Sequence, residues 1–422
     1  MTGSPTPGAG GVGRRLAVQM FLAFAFTYFF SALLRAITAT LAPTFSGELG
    51  LGAGDLGLMA GAYFLGFAAT QLPLGSALDR YGPKRVLLAL LTLAVLGCVG
   101  FAAARNFGQM LLARLLIGLG VSACLMAPLT SFRHRFGPSV QLRANSWMLM
   151  TGSLGMLAST LPVQWLLPLL GWRGLFAALA MLLLLSQLLI QAAVPVDAPA
   201  ATHATSAAGG YREVFGHPGF QSMAPLAFCC YGGMVAMQSL WIGPWLTQVA
   251  QRSPAESAQG LFLVNFCMLL AFLCWGLAMP RLDRAGWRAE RIIATAWPGG
   301  VLALGWIVAA GPAAGAGHWA LWCVLTSVVS LSQPAVAQAF PARLAGRALS
   351  AFNLVIFAGV FTLQWGIGLL IDGLRQAGWS VLEAYRMAFG LFLAACALSF
   401  AWMWWRGRNA LAPSRRSTAA RG

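Results

Sequence analysis

A short polar segment at residues 75–85 reads Gly75-Ser76-Ala77-Leu78-Asp79-Arg80-Tyr81-Gly82-Pro83-Lys84-Arg85. It closes one apolar run, residues 56–78, and precedes another, residues 86–104. Each run is long enough to cross the roughly 30 Å hydrocarbon core of a bilayer as a helix. The pattern therefore predicts two membrane-spanning helices joined by a basic loop.

The same alternation continues along the whole chain of 422 residues, of which 59% are hydrophobic and 9% charged. Soluble globular proteins carry about a quarter charged residues, so that class is excluded. We predict an all-α membrane protein with twelve transmembrane helices, about one for every 35 residues. The predicted spans are 16–42, 56–78, 86–104, 110–132, 146–169, 175–194, 222–246, 260–279, 292–310, 319–340, 349–371 and 385–405.

The distribution of charge predicts the orientation. The chain has 27 Lys and Arg against 10 Asp and Glu, a net charge of +17. Twenty of the basic residues lie on the side of the N-terminus, five lie on the other side, and Arg35 and Arg114 lie inside spans. By the positive-inside rule both termini are cytoplasmic, which accounts for the excess charge without nucleic acid. We expect a monomer in the lipid bilayer of a bacterial inner membrane.

An internal repeat divides the predicted helices into two groups of six. Asp79, Arg80 and Gly82 recur as Asp283, Arg284 and Gly286, at an offset of 204 residues, and weaker echoes recur at offsets of 200–207. A segment rich in Ala, Thr, Pro and Gly separates the two groups. We predict an N-terminal half at 1–194, a cytoplasmic linker at 195–218, a C-terminal half at 219–405 and a cytoplasmic tail at 406–422. Repeats of this kind are typical of transporters that work by alternating access.

The segment at residues 75–85 resembles the signature loop of the major facilitator superfamily, and Asp283 to Gly286 resembles a degenerate second copy. Arg114, Gly118 and Gly120 resemble that family's fourth-helix motif, and residues 171–176 resemble its common end of helix five. The resemblance implies the fold and a transport function, and it does not specify a solute.

The two loops are candidate gating segments. In the family the first loop is a cytoplasmic latch, made in one access state and broken in the other; the alternative is a basic loop that only sets topology. The residues concerned are Gly75, Asp79, Arg80, Gly82, Lys84 and Arg85 in the first loop, and Asp283, Arg284 and Gly286 in the second.

Arg35 is the first candidate for solute binding. A charge inside a span costs roughly 2.5–3.5 kcal/mol on insertion scales, so we expect Arg35 to face protein or water. Tyr28, Ser31 and Thr38 lie at helical spacing from it and form a polar stripe with it. The alternative is a structural Arg35 that bonds helix carbonyls or extends to the interface.

The run from Arg35 to Pro43 also resembles the first helix of organic anion symporters in the superfamily, where the Arg contacts an anionic substrate. Those relatives usually carry an Asp just before the Arg, and this chain has Leu34 there, which argues against proton coupling at that position.

Further polar residues interrupt later spans. Arg114 is either a cation in the central cavity or a tie between helices. The remaining candidates for solute binding are Tyr231, Gln238, Asn265, Gln333 and Asn353, each of which could instead form an interhelical hydrogen bond.

Several function classes are disfavoured. The four histidines are far apart, and the sequence has no metal-ligand spacing, Walker loop or Ser/His/Asp arrangement. We therefore predict no enzyme activity, no metal site and no cofactor. All ten acidic residues lie away from the predicted span centres, so a cavity with Arg and without carboxylate should attract anions.

The function that this pattern favours is secondary transport of a small organic solute, with anionic metabolites ahead of neutral or cationic ones. The coupling ion, a proton or another ion, is open, as is the direction of transport. An efflux permease for drugs or metabolites is the alternative, and a transporter-like receptor that moves nothing is a third hypothesis.

Overall fold

Residues 13–196 and 207–411, the part of the chain that this computed structural model describes, form helices and short connections without any strand. Most of the predicted linker and the end of the predicted tail, residues 197–206 and 412–422, lie outside the described residues, as do residues 1–12. The helices are α1 Arg14–Leu49, α2 Ala53–Ala69, α3 Gln71–Tyr81, α4 Pro83–Ala102, α5 Phe107–Val121, α6 Met126–Arg135, α7 Pro138–Ala158, α8 Leu161–Ala193, α9 Ala207–Gly216, α10 Pro218–Val249, α11 Pro254–Arg284, α12 Ala289–Ala310, α13 Ala316–Gln338, α14 Ala342–Gln376 and α15 Val381–Leu411.

Within the described ranges, ten helices are long and apolar enough to cross a membrane, and the pair α2 and α3, bent by 46°, raises the number to eleven. The count of twelve stays a prediction that this fold is consistent with. The difference arises around α8, whose 33 residues contain parts of two predicted spans. Gly171 interrupts this helix with φ 63° and ψ 169°, a conformation that residues with a Cβ rarely adopt. The break falls between the two apolar runs, as predicted.

Local sequence explains where several helices begin and end. Gly82, with φ 83°, makes the turn before α4, and Pro83 occupies the first position of that helix. Gly286 has φ 77°, so the two repeated loops share a glycine in the left-handed region. The first helix is longer than its predicted span, because it continues through Pro43 to Leu49 and ends at Gly50 with φ 63°.

The helix α10 is irregular in a way that the sequence did not indicate. Three π-helical segments interrupt it, at Ala227–Tyr231, Met237–Trp241 and Trp245–Val249. Segments of this kind are rare and are frequent at functional sites. Two of the candidate residues, Tyr231 and Gln238, lie in the first two segments.

The two predicted halves, α1–α8 and α10–α15, are connected through α9. The hydroxyl of Tyr211 on α9 donates to the carbonyl oxygen of Leu72 on α3 at 3.1 Å, so this helix contacts the first half as well. We call the end of the bundle that carries Arg80, Arg133 and Arg284 the basic end, which is cytoplasmic in the predicted orientation. The other end is called the opposite end.

Candidate functional site

Arg35 lies in α1 beside aromatic side chains of other helices. It is half-buried, and its Cζ atom lies 5.7 Å from the centroid of the Phe67 ring on α2. Three tyrosines, Tyr28, Tyr63 and Tyr231, lie within electrostatic range of the guanidinium. In the described ranges Arg35 forms no ion pair, and its buried Nε atom has no hydrogen-bond partner. The guanidinium is therefore a cation without a counterion inside the helical bundle.

Tyr28 and Ser31, two members of the predicted polar stripe, are buried on α1. A Cβ atom added to Gly152 on α7 would lie 2.5 Å from Cε1 of Tyr28, so this glycine allows α7 to approach the tyrosine ring. The hydroxyl of Tyr63 on α2 donates to the carbonyl oxygen of Ser31 at 3.3 Å. The first, second and fifth predicted spans therefore all contribute to the surroundings of Arg35.

Sequence reasoning missed Tyr63, Phe67 and Gly152. Tyr63 is one of six tyrosines in the chain, and it is surrounded in sequence by apolar and small residues that form no polar stripe. The one sequence feature that could have indicated Tyr63 was the rarity of tyrosine in this chain. Its position near Arg35 depends on the packing of α2 against α1, which is a tertiary contact.

Arg114 on α5 is 1% exposed and binds α1 directly. Its Nη1 atom donates to the carbonyl oxygen of Leu34 at 3.2 Å, and its Nη2 atom donates to Oγ1 of Thr38. The guanidinium also lies over the ring of Tyr63, at 5.4 Å from the centroid. Arg114 and Thr38 thus form a tie between α5 and α1, which is the second of the two interpretations open from the sequence.

The polar candidates in the second half pair with one another. Nε2 of Gln238 on α10 donates to Oδ1 of Asn265 on α11 at 2.9 Å. Nε2 of Gln333 on α13 donates to Oδ1 of Asn353 on α14 at 2.7 Å. These are the interhelical hydrogen bonds that the sequence left open as the alternative to solute binding. Tyr231 differs from them because it is half-buried and lies near Arg35 of the other half.

The gating candidates separate into three groups. Three of the charged gating candidates are exposed at the basic end, near Gly75 and Gly82: Asp79, Arg80 and Arg85. Asp79 has no hydrogen bond or ion pair within the described ranges.

Lys84, by contrast, is buried. Its Nζ atom donates to the carbonyl oxygen of Gln191 at 2.8 Å, which joins α4 to α8. In the second loop Asp283 and Gly286 are exposed, and Nε of Arg284 donates to the carbonyl oxygen of Pro280 in its own helix.

At the opposite end a contact joins the two predicted halves. The carboxylate of Asp372 on α14 accepts hydrogen bonds from the backbone N–H groups of Ala53, at 3.0 Å, and Gly54, at 2.7 Å. These amides form the first turn of α2, where helix N–H groups have no partner within the helix. A Cβ at Gly57 would overlap the carbonyl oxygen of Gln364, so α2 and α14 touch through their backbones. This end of the bundle is closed between α2 and α14.

Comparison with known proteins places the chain in a family. The family model described as Major Facilitator Superfamily matches residues 24–363. The chain is 30% identical over 143 residues to the probable L-galactonate transporter of Escherichia coli K12, and 30% identical over 135 residues to the 4-hydroxybenzoate transporter PcaK of Pseudomonas aeruginosa. Each match covers 32% of this chain, which thus spans 30% of the length of either relative.

The fold agrees with that of solved transporters. The POT family transporter PepTSo is similar over 94% of this chain and 98% of its own, with a TM-score of 0.74 and 15% sequence identity. The predicted fold class is therefore confirmed: an all-α, multi-pass membrane protein. The curated relatives are transporters by name, and the family match favours the predicted transporter over an enzyme. The chain belongs to the major facilitator superfamily.

Proposed function

We propose that this protein carries a small organic anion across a bacterial inner membrane by alternating access, as a monomer, and that Arg35 contacts the anionic group. The observation that carries the proposal is the unpaired cation of Arg35 beside Tyr28, Tyr63 and Tyr231. A carboxylate is the natural partner of a guanidinium, because it accepts two parallel N–H donors. Tyrosine hydroxyls can bind the rest of a polar solute.

The charge of the site supports an anion over a cation. Arg35 and Arg114 both lie inside the bundle, and the described acidic side chains near them in sequence, Glu48 and Asp55, lie towards the opposite end. Fixed positive charge in a region of low dielectric attracts anions and repels cations. The names of the two relatives also favour an anionic solute, since galactonate and 4-hydroxybenzoate are both carboxylates.

The two embedded arginines have different partners, which supports Arg35 as the residue that contacts the anionic solute. Arg114 uses its Nη donors on Leu34 and Thr38, so it holds α1 in place. Arg35 is half-buried, and its guanidinium faces the hydroxyl groups of Tyr28 and Tyr63, with no hydrogen bond to a helix carbonyl in the described ranges. A ligand that binds Arg35 therefore need not break a hydrogen bond to the backbone of another helix.

The contacts at the two ends support alternating access. At the opposite end Asp372 joins the halves through Ala53 and Gly54, while Asp79 at the basic end is exposed. This arrangement fits a state that is closed at the opposite end. Rocking of the halves about Arg35 would break the contacts at the opposite end and form contacts at the basic end.

The experiment is uptake into proteoliposomes, with galactonate and 4-hydroxybenzoate as probes. We expect Arg35→Gln to reduce uptake at least about tenfold, since a hydrogen bond to a charged group contributes about 1.5–3 kcal/mol. Arg35→Lys should retain part of the activity because it keeps the charge and loses the fork geometry. Arg105→Gln, at an exposed arginine of the opposite end, is the control.

Two outcomes would contradict the proposal. Unchanged anion uptake in Arg35→Gln would remove Arg35 as the contact. Transport of lipophilic cations, with the same rate in Arg35→Gln and wild type, would favour the drug efflux alternative.

A further inference from the structure

A groove of about 600 Å³ opens on the outside of the bundle at the basic end, between α9, α10, α14 and the end of α15. Its wall is mainly apolar, and four of its nine lining residues are aromatic: Phe215, Phe220, Phe228 and Trp402. Phe215 and Trp402 expose 40% and 38% of their surface. An aromatic wall near the end of membrane-spanning helices is suited to the boundary between hydrocarbon and water.

One cation borders this apolar wall. The Cζ atom of Arg406 lies 4.9 Å from the centroid of the Trp402 ring, and Arg406 lines the groove. The ring is held in place, because its Nε1 atom donates to the carbonyl oxygen of Gln221 at 3.2 Å. Nε2 of Gln221 in turn donates to the carbonyl oxygen of Phe215 at 3.1 Å. The side-chain N–H donors of Trp402 and Gln221 thus both have carbonyl partners, while Arg406 forms no ion pair within the described ranges.

We propose that this groove binds an anionic phospholipid of the leaflet at the basic end, with the phosphate on Arg406 and an acyl chain along the aromatic wall. The combination matches both parts of such a lipid: a guanidinium pairs with phosphate, and an apolar surface accepts hydrocarbon. Basic pockets between transmembrane helices on the cytoplasmic side bind anionic head groups for the same reason. A soluble anion would pair with Arg406 and would leave the aromatic wall unfilled.

The chain offers a closely matched control for the cation. Arg291 lies over the ring of Trp287 at the same distance of 4.9 Å, and it also lies at the basic end. Trp287 is 37% exposed, close to the value for Trp402. Arg291 is not among the lining residues of the groove. It therefore reproduces the charge and the aromatic contact without the apolar cleft.

The test is native mass spectrometry of the full-length protein titrated with phosphatidylglycerol or with phosphatidylethanolamine. We expect one phosphatidylglycerol molecule to bind in preference to phosphatidylethanolamine. Arg406→Gln should weaken this binding about fivefold, the factor for one arginine near an anionic lipid surface, and Arg291→Gln should not. Equal binding of phosphatidylglycerol by Arg406→Gln and wild type would overturn the proposal.

A second variant tests the acyl chain. Ala224 lines the groove, so Ala224→Phe should fill part of it and weaken phosphatidylglycerol binding while Arg406 stays in place. Glycerol phosphate, which carries the phosphate without a chain, should not compete with the lipid at equal concentration. Full competition by glycerol phosphate, or undiminished lipid binding in Ala224→Phe, would show a simple anion site and contradict the proposal.

Discussion

The carboxylate of Asp372, near the end of α14, accepts a hydrogen bond of 2.7 Å from the backbone N–H of Gly54, in the first turn of α2. The same carboxylate accepts a hydrogen bond from the backbone N–H of Ala53, so two amides of the predicted N-terminal half are bound by one side chain of the predicted C-terminal half. A carboxylate at a helix N-terminus is stabilised both by these donors and by the helix dipole. Asp372 therefore closes the opposite end of the bundle by a charge-assisted contact.

We predict that Asp372→Asn opens this contact. The amides of Ala53 and Gly54 have no partner within α2, so Asp372 alone protects them, and their hydrogen exchange reports the contact directly. Removing the charge should cost about 1.5–3 kcal/mol and speed exchange about tenfold or more. The measurement is hydrogen–deuterium exchange of a peptide that covers residues 53–57.

The control for this variant is Glu383→Gln. Glu383 caps α15 at the same end through the backbone N–H and hydroxyl of Ser380, and it does not join the halves. Its replacement should leave exchange at residues 53–57 unchanged. Equal exchange in Asp372→Asn and wild type would show that the contact does not hold the two halves together.

We predict that Arg114 is required mainly for stability. Arg114→Gln should lower the free energy of unfolding by about 1.5–3 kcal/mol, because it removes charged hydrogen bonds to Leu34 and Thr38 on α1. Arg35→Gln should change stability less, since within the described ranges Arg35 makes no hydrogen bond to a helix carbonyl and faces the hydroxyls of Tyr28 and Tyr63. Thermal unfolding of both variants in one detergent, followed by tryptophan fluorescence, makes the comparison. A smaller loss in Arg114→Gln than in Arg35→Gln would contradict the assignment of the two arginines.

The sequence predicts the helices well because the signal for a membrane span is local: about 20 apolar residues in succession. It also separates the runs around Gly171, where the backbone breaks within α8. This local signal does not identify the roles of Asp372, Tyr63 and Gly152, because each of them contacts a residue that is distant in sequence. Asp372 reaches Gly54 across 318 positions, and only the packing of α14 on α2 brings the two together.

For the buried amides, we predict a measurable coupling between Gln238 and Asn265. Their hydrogen bond of 2.9 Å joins α10 to α11, and both side chains are buried. A double-mutant cycle with Gln238→Leu and Asn265→Leu should give a coupling free energy of about 0.6 kcal/mol, and at most about 1.7 kcal/mol, as for hydrogen bonds between other membrane helices. The measurement is the free energy of unfolding of the four proteins in mixed micelles. Strictly additive losses would show that the pair does not interact.

The last prediction concerns the glycine beside Tyr28. In Gly152→Ala the new methyl group would lie 2.5 Å from Cε1 of the Tyr28 ring, so the ring or α7 has to move. Because Tyr28 lies within electrostatic range of Arg35, we expect this shift to raise the KM for anion uptake severalfold while the protein still folds. Gly276→Ala in α11, where a Cβ meets nothing within 4 Å, is the matched control and should transport normally. The measurement is the concentration dependence of uptake in proteoliposomes; equal KM values for Gly152→Ala and Gly276→Ala would place the binding site away from Tyr28.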